Sequence, residues 1–182
     1  EKSVKTADPE AREKMHNAST MAGMAFANAF LGMSHSMAHK IGGVHHTVHG
    51  RTNAILLPYV IRYNGTRPSK TTTWPKYNYW KADEKFQDIA KMLGLPHSTP
   101  EEAVEAYAKA VYDLGVAVGI KMNFKDQGID EKAWKDSLHE IALLAYEDQC
   151  SPANPRLPMV ADMEEIMADA YYGYAERPGR RK

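Results

Sequence analysis

Five of the chain's eight histidines fall within fifteen residues: His35, His39, His45, His46 and His49. Imidazole is the commonest protein ligand for Zn²⁺ and also suits Fe²⁺. His35 and His39 stand four residues apart, so on a helix they share one face. His49 opens the apolar stretch that follows, and the Gly42-Gly43 pair is placed to turn that stretch back toward His35. A histidine cluster between two strongly apolar segments points to a metal centre rather than to isolated packing residues. It is not a peptidase site, because Ser36 stands where the His-Glu-x-x-His motif needs its glutamate. Nor is it a structural zinc knot, since Cys150 is alone and far away in sequence. The segment supplies two or three imidazoles and no adjacent carboxylate. A four-coordinate metal would therefore draw further ligands from elsewhere.

The elements that must position these rings are helical. Asp8-Pro9-Glu10 gives a capping residue, proline at the first helical position and an acid in the first turn. The helix it starts is expected to run from residue 9 to about 32. Its second half is apolar on every side, which predicts burial on every side. A short helix over 34–41 should stop at Gly42-Gly43. Another is expected from 51 to about 63, kinked at Pro58 and ended by Asn64-Gly65. Residues 66–80 form a long polar and aromatic loop, expected to pack on a neighbouring domain or subunit. Further helices are expected over 82–93, from the Thr99-Pro100-Glu101-Glu102 capping box to about 118, from the Asp130 cap to about 146, and over 159–172. A basic tail, 174–182, is expected to be disordered. Strand signals are scarce, so the expected fold is all-α: an irregular bundle of about six to eight helices in a single domain, 1–182.

Composition narrows the function. Lys plus Arg equals Asp plus Glu, 23 of each, which gives no electrostatic case for nucleic acid or an anionic membrane. The most apolar stretch, 21–33, is too short to span a bilayer. One cysteine permits no internal disulfide and fits a reducing compartment, most simply the cytoplasm.

Residues 23–32 (GMAFANAFLG), 35–42 (HSMAHKIG), His49-Gly50, 53–58 (NAILLP) and 62–64 (RYN) resemble the signature region of the iron-containing alcohol dehydrogenases. Residues 10–28, 148–156 (DQCSPANPR) and 171–173 are similar to the C-terminal part of the bifunctional aldehyde–alcohol dehydrogenases. The resemblance implies the helical C-terminal domain of the fold shared with dehydroquinate synthases. It implies NAD-dependent reduction of acetaldehyde to ethanol, with Fe²⁺ as the metal and Zn²⁺ as the alternative. It implies that His35 and His49 are metal ligands, and that the remaining Asp and His ligands lie outside this chain. It places His39 near the substrate and nicotinamide in proton movement, and Phe26 and Cys150 along the substrate pocket. The Gly-rich nucleotide-binding half, which carries most of the NAD(H) site, and an acetaldehyde dehydrogenase domain are absent. The isolated chain is therefore expected to be inactive, and the intact protein to be a homo-oligomer or filament. Two rivals remain: the helical domain of a zinc polyol dehydrogenase, and a helical assembly module whose histidines only pack.

Overall fold

The computed structural model describes residues 1–68 and 80–173, and these form helices with no strand. They are α1 (Lys2–Lys5), α2 (Pro9–Ala29), α3 (Met33–His45), α4 (His49–Gly65), α5 (Ala82–Met92), α6 (Pro100–Ala117), α7 (Glu131–Tyr146) and α8 (Val160–Tyr172), with a 3₁₀ turn at Ser151–Ala153. Most of the 66–80 loop and the whole 174–182 tail lie outside the described residues. Trp80, at the end of that loop, donates from Nε1 to the Asn64 carbonyl at 3.1 Å.

The capping residues act as their chemistry dictates. Asp8 Oδ1 accepts from Ala11 N at 2.8 Å, Thr99 Oγ1 from Glu102 N at 3.2 Å, and Asp130 Oδ1 from Ala133 N at 2.9 Å. Glu102 returns a bond to Ser98 N at 2.7 Å.

The main core is built by α3, α4, α7 and α8. Met33, Met37 and Ile41 of α3 meet Ile55 and Leu56 of α4, Ile141 of α7 and Met163 and Met167 of α8. Trp134 anchors one end, its ring centre 4.9 Å from Phe124, 5.2 Å from Tyr171 and 5.3 Å from His45. A smaller core of Ile61, Val104 and Ala108 joins α4 to α6, with Phe86 of α5 packed on it.

Two expectations fail. Gly42 and Gly43 do not stop α3, which continues to His45 and ends in a left-handed His46 (φ 54°). Glycine inside a helix costs only about 1 kcal/mol relative to alanine. Met37, Ala38 and Ile41, all buried, outweigh that cost. The reversal into α4 is therefore made by residues 46–48, where Thr47 Oγ1 and Thr52 Oγ1 lie 2.7 Å apart. The second failure is α2, which has no buried residue at all. Met21, Met24, Phe26 and Phe30 are exposed, because among the described residues the helix packs chiefly along α1.

The segment between α7 and α8 is pinned to the histidine-bearing helices. Asn154 Oδ1 accepts from Met33 N at 3.2 Å, satisfying a first-turn N–H of α3. Asn154 Nδ2 donates to Asn64 Oδ1 at 2.7 Å and to the Arg156 carbonyl at 2.6 Å. A Cβ on Gly32 would sit 2.8 Å from Asn154 Oδ1, so the close approach needs glycine there. Arg156 donates to the Tyr63 carbonyl at 3.0 Å and stacks over the Tyr63 ring at 4.0 Å.

Two measurements check this account. Asn154→Ala leaves Met33 N and the Asn64 side-chain amide without these partners and should destabilise the fold by about 1–3 kcal/mol in urea denaturation. A loss near zero would mean that water replaces these bonds. His45 is the second. Burial, then repulsion from His46, holds its pKa below the ordinary 6.5. The unfolded chain then binds the proton more readily. Stability should be full above about pH 7 and decline as pH falls through the unfolded-state value of about 6.5. His45→Gln should flatten that decline, and an unchanged slope would remove His45 as its source.

Candidate functional site

One turn of α3 separates His35 from His39, and the 46–48 reversal sets His49, the first residue of α4, against them. The ring centres of His35 and His49 lie 5.3 Å apart, those of His39 and His49 5.4 Å, and those of His35 and His39 6.3 Å. Two imidazoles bound to one tetrahedral ion through bonds of about 2.0–2.1 Å have ring centres about 5 Å apart. The His35–His49 and His39–His49 spacings both lie near that value, and of the two partners His39 is the one already engaged at Nδ1 by a carboxylate. Burial first, then repulsion from His49 and His39, lowers the His35 pKa below 6.5. The ring is therefore held in its neutral, ligand-competent form.

Asn53 steadies the pair. Its Nδ2 lies 3.2 Å from His49 Nε2 and donates to the His49 carbonyl at 3.2 Å, while Ser34 Oγ donates to its Oδ1 at 2.9 Å. Asn53 is one turn beyond His49 and Ser34 immediately precedes His35, so a single chain of hydrogen bonds links the two helices beside the rings.

On the other side, Asp148 reaches His39. Asp148 Oδ2 accepts from His39 Nδ1 at 3.2 Å and from Lys40 Nζ at 2.9 Å, and Oδ1 accepts from Cys150 N at 3.0 Å. Burial alone would raise the Asp148 pKa. The Cys150 N–H, Lys40 and His39 outweigh it and leave the carboxyl far below its ordinary range. Cys150 is 1% exposed. Burial, then the neighbouring Asp148, pushes its thiol pKa up, so it stays protonated at neutral pH.

His39, Asp148 and Cys150 offer metal-ligand atoms all within 4.8 Å of one another. The chemistry of that trio favours a hydrogen-bonded cluster over a ligand set. Lys40 puts a cation on the oxygen that a metal would take. The imidazole pair is the better fit to a metal, and as a pair it leaves the rest of the coordination shell to other ligands.

Of the sequence-predicted residues, the structure brings His35, His39, His49 and Cys150 into one region. Phe26 stands apart on α2 and is 47% exposed. The chain does bend between it and His35, at Phe30 with φ 65°. His45 and His46 belong elsewhere: the first stacks on Trp134, and the second makes the turn. Sequence reasoning missed Asp148, Lys40 and Asn53. Asn53 was findable, four residues after His49 on a helix. Asp148 lies 109 residues from His39 and carried no local signal beyond its place beside Cys150.

A match to the family model described as "Fe-containing alcohol dehydrogenase family, C-terminal" covers residues 1–171. The chain is 79% identical, over all 182 of its residues, to an aldehyde-alcohol dehydrogenase of Streptococcus pneumoniae, of which it covers 21%. It is 60% identical over 168 residues to aldehyde-alcohol dehydrogenase 2 of Entamoeba histolytica, covering 92% of this chain and 19% of that protein. The chain thus spans about a fifth of the length of these curated relatives. Among solved structures, the alcohol dehydrogenase from Oenococcus oeni superposes with a TM-score of 0.78 at 31% identity, over 93% of this chain and 40% of that one.

The Cys150 environment yields a direct check. A buried, protonated thiol should react with iodoacetamide at pH 8 at least about tenfold more slowly in the folded chain than in the urea-unfolded chain. Equal rates would show that the 148–153 segment opens freely.

Proposed function

The chain belongs to the Fe-containing alcohol dehydrogenase family, whose C-terminal part it matches, and on that premise we propose that it is the metal-side helical domain of an NAD-dependent enzyme that reduces acetaldehyde to ethanol. The observation that carries the proposal is the convergence of His35 and His49 from two helices at a spacing suited to one tetrahedral ion, with His39 alongside. The aldehyde-alcohol dehydrogenase names of the relatives favour a bifunctional protein, with acyl reduction in a separate domain.

In this reading His35 and His49 hold the metal through imidazole nitrogens, while Asn53 holds the His49 backbone carbonyl and, through Ser34, the start of α3. When bound, Fe²⁺ (or Zn²⁺) supplies Lewis acidity at the carbonyl oxygen, and the nicotinamide supplies the hydride. His39 carries the proton that the product oxygen needs. Its Nδ1 is engaged with Asp148, so Nε2 is the atom that gives and takes it. Cys150 lines the pocket as an inert, protonated wall, and Phe26, which stands apart in this chain, joins it once α2 packs against the rest of the polypeptide. The Asp and His that complete the metal shell, and the nucleotide-binding half, belong to other parts of the polypeptide. Binding such a partner gives the exposed Met21, Met24 and Phe26 of α2 an apolar surface to cover them.

That same face supports a second reading, a helical assembly module. Metal analysis of the full-length protein separates the two. His35→Ala or His49→Ala should abolish both iron (or zinc) retention and NADH oxidation with acetaldehyde. His39→Ala should keep the metal and slow turnover by roughly 100- to 10,000-fold. A metal-free wild type with intact assembly would sink the enzymatic reading. Metal loss in His39→Ala alone would show that the two roles had been exchanged.

A further inference from the structure

Asp148 comes to α3 from the far end of the chain and arrives immobilised. Its side chain is 8% exposed. Oδ1 is tied to the backbone N–H of Cys150 in its own loop, and Oδ2 to Lys40, the residue after His39. Both oxygens are therefore held before His39 is considered, and the carboxylate cannot rotate to follow the ring. An ionised carboxylate only accepts hydrogen bonds. The 3.2 Å contact from Oδ2 to His39 Nδ1 then requires the proton to be on Nδ1. It leaves the lone pair of Nε2 as the free one.

We infer that Asp148 is a positioning residue for His39: it fixes the Nδ1–H tautomer and the ring plane, so that Nε2 is the atom presented for proton exchange. This rests on the reading of His39 as the proton carrier. The geometry separates it from two other roles. As a metal ligand, Asp148 would have to surrender Lys40, whose ammonium is closer to Oδ2 than the imidazole is. As a mere fastener for the 148–158 segment it would be redundant. Asn154 and Arg156 already bind that segment to Met33, Asn64 and Tyr63. A buried carboxylate beside a histidine controls which nitrogen is basic, and this control is lost when an amide replaces it, since an amide can donate as well as accept.

The test is a double-mutant cycle in the full-length dehydrogenase, with Asp148→Asn, Asp148→Glu, His39→Ala and the double variant Asp148→Asn/His39→Ala. Metal content, kcat and KM are measured for each. Asp148→Asn should retain the metal and lower kcat by roughly 10- to 100-fold with KM little changed. Its solvent deuterium isotope effect on kcat should rise, because proton transfer has become limiting. Asp148→Glu, which keeps the carboxylate, should recover most of the rate. In the His39→Ala background, Asp148→Asn should cost nothing further, since it acts only through that ring. Losses that multiply would overturn the inference in favour of a scaffold role, and loss of metal in Asp148→Asn would overturn it in favour of a ligand role. If Asp148→Asn does not fold, Asp148→Ser, which also removes the carboxylate, takes its place in the cycle and decides by the same criterion. The underlying reading fails separately, on wild-type metal content and on His39→Ala alone.

Discussion

A hydrogen bond from Met33 N to Asn154 Oδ1, bridging 121 residues, holds the histidine helix in register with the segment that supplies Asp148 and Cys150. The bond satisfies an N–H that a helix start cannot satisfy by itself. It forms only because Gly32 has no Cβ to block Asn154. Everything around the imidazoles follows from that clamp. With α3 fixed at its first turn by Asn154 and at its second by Asp148 on Lys40, the 148–154 stretch lies along one side of the helix. The other side is fixed by Ser34 and Asn53, which join α3 to α4. His35, His39 and His49 are thus set by hydrogen bonds made beside them rather than by contacts to one another.

The core explains why this arrangement is rigid. Met33, Met37 and Ile41 share the buried face of α3, while His35 and His39 lie off that face toward solvent. The apolar residues orient the helix, and the orientation aims the histidines. Exposure on that side is consistent with a site that receives its remaining ligands and its cofactor from outside the chain. The same reasoning covers α2, which is apolar without being buried. The chain spans 40% of the solved Oenococcus oeni dehydrogenase that it superposes on, so most of a full-length relative's packing surface is not represented in it.

What was legible in the sequence was local. The caps Asp8, Thr99 and Asp130 were readable because each acts on an N–H three residues away. The helices they start were readable for the same reason, and the all-α class followed. The glycine pair misled, because the penalty for helical glycine is small and the burial of Met37 and Ile41 is a tertiary fact. The burial of α2 was misjudged because apolar periodicity reports a need for a partner and not the partner's presence. The imidazole cluster was legible as a constellation, and the resemblance assigned its roles. Asp148 was not, since nothing within a few residues of it marks it as the partner of a histidine on a different helix.

Three imidazoles this close pose a physical problem that the surroundings resolve. A proton on any one of them repels a proton on the next, and the burial of His35 adds to the cost of charging it. Left alone, such a cluster would gain by separating into solvent. Here the two helices do not let it, because the Ser34–Asn53 bond, the Asn53 bond to the His49 carbonyl and the turn at 46–48 hold together the backbones that carry the rings. The resolution is a division of labour. Burial and its imidazole neighbours push the His35 pKa down, and the Asn53 amide holds the His49 carbonyl. His39 is turned to the Asp148 carboxylate, whose own charge is already balanced by Lys40. With that carboxylate also held by Lys40 and by the Cys150 N–H, its contact with His39 engages Nδ1 and not Nε2.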